Sequence, residues 1–206
     1  MMIVNYIKSN KRAKRFIHFL LIPRAEARPR KWVSWFVNPF FHKHKKGSII
    51  RSQVRMDVLP FNFFEIGINS IIESFSTINN GVGPVIIGNN CLIGMGNVII
   101  GPVTIGNNII FAQHVVLSGL NHKYTNIEIP ISQQNITTAP IVIEDDCWIG
   151  ANSVITAGII IGKHSVVAGG SVVTKNVPAY CVVAGNPARI IKQYNFETRA
   201  WEKAFK

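Results

Sequence analysis

Residues 85–118 read VIIGNNCLIGMGNVIIGPVTIGNNIIFAQHVVLS, and one spacing organises them. Ile87, Ile93, Ile99, Ile105, Phe111 and Leu117 fall six residues apart. Upstream the series continues in Ile66, Ile72 and Ile78 after a three-residue slip. Downstream it resumes in Ile143, Ile149, Ile155, Ile161, Val167 and Val173 after a longer interruption. The next residue is often Gly, as at Gly67, Gly88, Gly94, Gly106, Gly150 and Gly162. The residue four further on is small or β-branched: Ser70, Ser76, Cys91, Val103, Val115, Cys147, Ser153, Ser165 and Ser171. A period of six suits neither an amphipathic helix nor a two-residue alternation. It predicts a parallel β-helix, in which each hexapeptide makes one short strand and a turn, with one aliphatic residue stacked inward. Three hexapeptides close a triangular coil, giving about five coils between residues 66 and 178.

Composition agrees. Of 206 residues, 48% are hydrophobic and only 16% charged, which excludes wholesale disorder. The chain holds 32 Ile and 20 Val against 6 Leu, a bias toward residues branched at Cβ, which favour strands over helices. No charged residue lies between Glu73 and Lys123, but Gly and Asn recur throughout and break up any apolar run long enough to span a bilayer. The three cysteines show no zinc or redox spacing; Cys91 and Cys147 fall at inward small positions and read as core fillers. A reduced, cytoplasmic setting is expected. The opening MMIVNYIKSNKRAKRF has no secretory-signal pattern.

The interruption, SGLNHKYTNIEIPISQQNITTAPIV at 118–142, carries polar and aromatic residues that the coil pattern lacks. Solenoids eject such insertions on one face, often the binding face. Downstream lie the blocks WIGANSVITAGIIIG, AGGSVVTKNVP and VVAGNPARII. With the hexapeptide register, these resemble the hexapeptide-repeat acyltransferases, in particular the branch containing maltose, galactoside and streptogramin acetyltransferases. The resemblance covers roughly residues 47–193 and implies a left-handed β-helix, an acetyl-coenzyme A donor and a homotrimer with clefts between neighbouring coils. It implies that His122, in the ejected loop, is the catalytic base. It also implies cofactor contacts from Trp148, Ala151, Gly169, Thr174, Lys175 and Arg189. Asn121, Tyr124 and Gln134 are the loop residues expected to meet the acceptor.

Elementary chemistry supports that assignment. Small residues (Ala151, Gly169) let a slim ligand approach the backbone, while Lys175 and Arg189 can meet phosphates. An alcohol is a weak nucleophile at neutral pH, and an imidazole can take its proton as it attacks a thioester. Backbone N–H groups are candidate donors to the oxyanion. No metal is required. Two histidines near the loop, His114 and His122, lack a third partner for a zinc-dependent carbonic anhydrase.

The expected activity is O-acetylation of a sugar hydroxyl in surface polysaccharide or glycan biosynthesis. The alternatives are N-acetylation of a nucleotide-linked amino sugar and a non-catalytic, membrane-associated scaffold.

The formal charge of +12 is concentrated: residues 1–55 hold 14 Lys+Arg and a single acid, Glu26. Residues 1–46 read as a basic, aromatic-rich arm or cap, 47–193 as the β-helix with an ejected loop at 119–141, and 194–206 as a short terminal helix. Interleaved bases and aromatics suit either peripheral contact with an anionic membrane, on its cytoplasmic face, or an N-terminal cap. Nucleic acid is not expected, since no recognition module is present.

Overall fold

The computed structural model describes residues 10–204. Its body is a triangular, left-handed parallel β-helix whose three faces are stacks of very short strands. The first face stacks Lys43–His44, Phe64–Ile66, Val85–Ile87, Val103–Ile105, Ile141–Ile143 and Ile160–Ile161. The second stacks Ile49–Ile50, Ile71–Ile72, Leu92–Ile93, Ile110–Phe111, Trp148–Ile149, Val166–Val167 and Cys181–Gly185. The third stacks Arg55–Asp57, Thr77–Asn79, Val98–Ile100, Val116–Ser118, Val154–Ile155 and Val172–Val173.

All fifteen aliphatic or Phe positions of the register are 0–1% exposed, so the six-residue period is the inward column of each face. The pairing is in register: Ile66 lies on Ile87, Ile87 on Ile105, and Ile105 on Ile143. Each such side chain stabilises the fold by about 1.5–3 kcal/mol through removal from water. The small inward residues also bond from coil to coil. Ser70 Oγ donates to Gly88 O at 2.6 Å, Ser153 Oγ to Ala168 O at 3.1 Å, and Cys147 Sγ to Gly162 O at 3.2 Å. Burial pushes the Cys147 thiol up to about 11 and raises Cys91 and Cys181 likewise, as befits core fillers.

The corners use left-handed backbone at Asn69, Asn90, Asn108, Asp146 and Asn152. Asn and Asp tolerate that region because their short polar side chains bond locally. The three-residue slip has its own fastening: buried Asn80 donates to Leu59 O and Asn62 O, and its Oδ1 accepts from Leu59 N at 2.7 Å.

Two expectations are corrected, the coil count with its boundary and the form of the tail. The solenoid makes six complete coils instead of five, because the first coil begins at Lys43, four residues before the expected boundary at 47 and inside the segment assigned to the arm. Its rungs were hidden by their polar residues, including Lys43, His44 and Arg55. Among the described residues, the tail expected at 194–206 forms no helix. Ala188–Asn195 runs antiparallel to Cys181–Gly185, and Ala200–Lys203 runs antiparallel to that strand, so a boundary at 193/194 would cut through a strand. The turn residue Asn195 accepts from Glu197 N and Thr198 N, and Arg199 takes a left-handed φ of 54°. Tyr194, Phe196 and Trp201 then cluster on this hairpin. Local Asn turn chemistry and aromatic packing outweigh the helical pattern. The loop at 119–141 is ejected from the solenoid as an arm with a ribbon at its root: Leu120–His122 pairs antiparallel with Ile136–Thr138.

Among the described residues the N-terminal segment forms three helices, α1 (Lys11–Leu21), α2 (Lys31–Phe36) and α3 (Asn38–Phe41). Asn10 caps α1 by accepting from Arg12 N and Ala13 N. The segment covers the first coil. Val33 is fully buried, Asn38 Nδ2 donates to Val58 O at 2.8 Å, and His18 stacks on Phe61 with ring centroids 5.2 Å apart.

Candidate active site

The arm leaves the corner between the third and first faces. Gly119 N donates to Ile100 O, and Ala139 N donates back to Gly119 O at 2.9 Å, which closes the arm at its root. A Cβ at Gly119 would lie 2.7 Å from Pro102 O, so the crossing requires glycine there. Just beyond, His122 sits opposite Ile136 and Asn121 opposite Thr137. Side chains alternate along a strand, which puts His122 on the face of the ribbon shared with Leu120 and Asn121 on the other. Asn121 is therefore not placed to orient the His122 ring. Both are exposed, and His122 makes no side-chain hydrogen bond among the described residues.

Tyr124 is exposed further along the arm. Gln134 is engaged within the arm: its Oε1 accepts from Asn126 N, and its Nε2 donates to Asn126 O and Ile129 O. It braces the arm tip, a role its sequence context did not signal.

The same corner continues below the arm. Gly158 N donates to Ala139 O one coil later, and Thr174 and Lys175 follow in the next coil, both exposed. With coils about 4.8 Å apart, Lys175 stands roughly 10 Å along the axis from the arm's root. Lys175 and Arg189 line one cleft of about 490 Å³, together with Asn176, Val177 and Ala188. Two cations brought to one cleft form a phosphate-compatible pair.

Trp148, Ala151 and Gly169 lie elsewhere. Trp148 projects outward from the second face, between the rungs of Ile110 and Val166. Ala151 and Gly169 stack at the corner of the second and third faces, where Gly170 N donates to Ala151 O at 2.7 Å. A Cβ at Gly169 would meet Ala151 O at 3.2 Å, whereas one at Gly170 would meet nothing within 4 Å, so this corner is open to an approaching ligand. In one chain the third face separates these three residues from the arm and the cationic cleft.

Other histidines are accounted for by the fold. His114 and His164 occupy left-handed corner positions, the former against Gly96 and the latter 5.8 Å from the Tyr180 ring. His42, which the sequence places in the basic arm, is only 7% exposed, and both ring nitrogens lack hydrogen-bond partners. It lines a cavity of about 650 Å³ at the start of the solenoid with Asn38, His44, Met56 and Phe64. Burial, aided by the charge of His44, lowers its pKa to about 4. Among the described residues no cluster of three or more His, Cys, Asp or Glu could hold a metal ion.

Comparison with known proteins agrees with the register. Residues 84–119 match the family described as bacterial transferase hexapeptide (six repeats), and residues 140–175 match the hexapeptide repeat of succinyl-transferase. The chain is 39% identical over 102 residues to the putative lipopolysaccharide biosynthesis O-acetyl transferase WbbJ of Escherichia coli K12, covering 46% of this chain and 52% of that protein. It is 59% identical over 61 residues to a 2,3,4,5-tetrahydropyridine-2,6-dicarboxylate N-acetyltransferase of Brevibacillus brevis, covering 30% and 26%. The chain thus spans about half the length of one relative and a quarter of the other.

Among solved structures, a serine-to-alanine mutant of AntD, an N-acyltransferase from Bacillus cereus, in complex with dTDP-4-amino-4,6-dideoxyglucose and coenzyme A, superposes with a TM-score of 0.67. Its identity is 20%, over 80% of this chain and 91% of that one, a likeness of fold. The hexapeptide-repeat acetyltransferase VCA0836 of Vibrio cholerae O1 biovar eltor, complexed with acetyl coenzyme A, gives 0.53 at 27% identity, over 74% and 71%.

Proposed function

We propose that this chain, a member of the hexapeptide-repeat family of left-handed β-helices, is an acetyl-coenzyme A-dependent acetyltransferase that acts on a sugar hydroxyl, with His122 as general base. The observation that carries this reading is the exposed His122 on an arm rooted at the edge where Thr174 and Lys175 follow. The match to a lipopolysaccharide O-acetyl transferase favours a glycan hydroxyl, and the acetyl-coenzyme A complex of VCA0836 favours the donor.

In this reading the adenosine phosphates meet Lys175 and Arg189, and the slim pantetheine arm lies along the small residues of the coils. An imidazole nitrogen of His122 takes the hydroxyl proton while the oxygen attacks the thioester carbonyl. The new C–O bond forms, the C–S bond breaks, and the proton passes to the departing thiolate. No covalent intermediate on the protein is needed. The separation of Trp148, Ala151 and Gly169 from the arm within one chain favours a homotrimer, in which one copy's coil edge borders its neighbour's arm.

N-acetylation of an amino sugar is the second reading, favoured by the local match to a tetrahydropyridine-dicarboxylate N-acetyltransferase. Incubation with acetyl-coenzyme A and a panel of sugars, following thiol release, tests transfer; mild alkali separates the two readings, because it cleaves an O-acetyl ester and spares an amide. Release of thiol only with amino sugars, giving alkali-stable product, overturns the hydroxyl assignment.

A further inference from the structure

The N-terminal helices hold to the first coil by one side only. In α1, Ala13, Ile17 and Leu21, spaced four apart, are half-buried. On the neighbouring side of the same helix, Phe16 and Phe19 are 62% and 61% exposed. In α2 and α3 the pattern repeats: Val33 is fully buried, while Trp35, Phe36 and Phe40 are 68%, 69% and 85% exposed. A helix that served only as a cap would carry polar residues on its outer side. Single exposed aromatics are ordinary, but a cluster of five on residues 16–40 marks a contact surface.

Only part of the charge around this cluster is compensated. Arg28 and Arg55 turn back onto Asp57, Lys45 onto Glu65, and Arg51 onto Glu73. Arg12, Arg15, Arg24, Lys31 and Lys46 form no ion pair among the described residues. The surface therefore presents large aromatics rimmed by free cations. Aromatic rings favour the headgroup level of a bilayer, and Lys and Arg are drawn to anionic lipid. A second copy would bring the same positive charge face to face and be repelled. A nucleic acid would use the cations but leave the bulky, convex aromatic cluster without a groove. No helix among the described residues is long and apolar enough to cross a membrane, so the contact would be peripheral.

We propose that the outer surface of α1–α3 docks on anionic phospholipid, with Phe16, Phe19, Trp35, Phe36 and Phe40 seated among the headgroups and the free cations on lipid phosphates. The same segment is then both cap and anchor: its inner side closes the solenoid and its outer side meets the bilayer. This rests on geometry and charge at the N-terminal end and is independent of the acetyl-transfer reading.

The test is sedimentation of the full chain with vesicles of phosphatidylcholine alone or with about 30% phosphatidylglycerol, at about 50 mM and about 500 mM salt. The wild type is expected to bind anionic vesicles at low salt, to release at high salt, and to ignore neutral ones. Combined Trp35→Ser, Phe36→Ser and Phe40→Ser should weaken partitioning at least tenfold while thermal unfolding and oligomeric state stay unchanged. Combined Arg24→Glu and Lys31→Glu gives a second variant with the aromatics intact, and it should weaken anionic binding likewise. Failure of the wild type to bind at low salt overturns the proposal. So does undiminished binding by either folded variant, a changed oligomeric state in the serine variant, which would make the surface an interface between copies, or displacement of vesicles by stoichiometric single-stranded RNA.

Discussion

Asn108 Nδ2 donates to Asp146 Oδ1 at 3.0 Å, although the two residues are 38 apart in the chain. Beside it, Asn107 N donates to Asp145 Oδ1 at 2.7 Å. These bonds join the coil before the ejected arm to the coil after it, as if the arm were absent. Leu120 and Thr138 face each other at the arm's root, and such antiparallel partners lie only about 5 Å apart.

Excising residues 121–137 and closing the gap with two glycines should therefore leave the solenoid intact. Tm is expected to move by less than about 5 °C and acetyl transfer to vanish. A deletion that unfolds the protein would show that the arm contributes to the fold.

Replacing His122 with Ala should lower turnover by about 10²–10⁴, the usual contribution of a general base, and leave coenzyme A affinity nearly unchanged. Steady-state kinetics and calorimetry on the same preparation check both halves. Near-normal turnover would remove His122 from the chemistry.

Lys175→Ala and Arg189→Ala should each weaken binding of coenzyme A more than that of an acetylated pantetheine lacking the nucleotide. The two side chains share one cleft, so the double variant should lose less than the two single losses combined. Equal losses for both donors would place the missing contact on the pantetheine arm.

His42 makes stability depend on pH. Its folded pKa of about 4 lies below the ordinary 6.5, so between these values the unfolded chain binds the proton and the folded chain does not. The stability is fully present above pH 6.5 and is lost as pH falls toward 4, by as much as about 3 kcal/mol. Urea unfolding of wild type and His42→Leu at pH 7 and pH 5 measures it. The leucine variant should lose less stability on acidification; equal losses would assign the dependence to other groups.

From Ile66 onward the inward columns are legible because their side chains obey one rule, with small residues often following at a fixed offset. The first coil was not legible. Its outward residues are basic and its inward ones irregular, so it read as part of the arm. The hairpin at the C-terminus was missed because Asn195 and its turn are local signals inside a sequence of good helix formers. In the candidate site, Lys175 and Arg189 were named from motif positions, and the fold brings them to one cleft. Gln134 looked like a binding residue, but its bonds run to the arm's own backbone. His42 carried no sequence signal at all, since its burial depends on helices folding back over the first coil.

The antiparallel hairpin at 188–203 changes what the end of the solenoid can do. A stack of parallel strands exposes, at its last rung, unpaired N–H and C=O groups that would template another rung from any chain with a similar register. Because the coils share one register, a compatible chain is another molecule of the same protein. The reversal at Gly185 presents a strand of opposite polarity, and Ala200–Lys203 then covers it with a short, charged edge bearing Glu202 and Lys203. At the other end the helices pack over the first coil. End-to-end stacking into fibres is thereby obstructed on the second face at the last rung, and by the packed helices at the first, which matters for a sequence built from a self-complementary repeat.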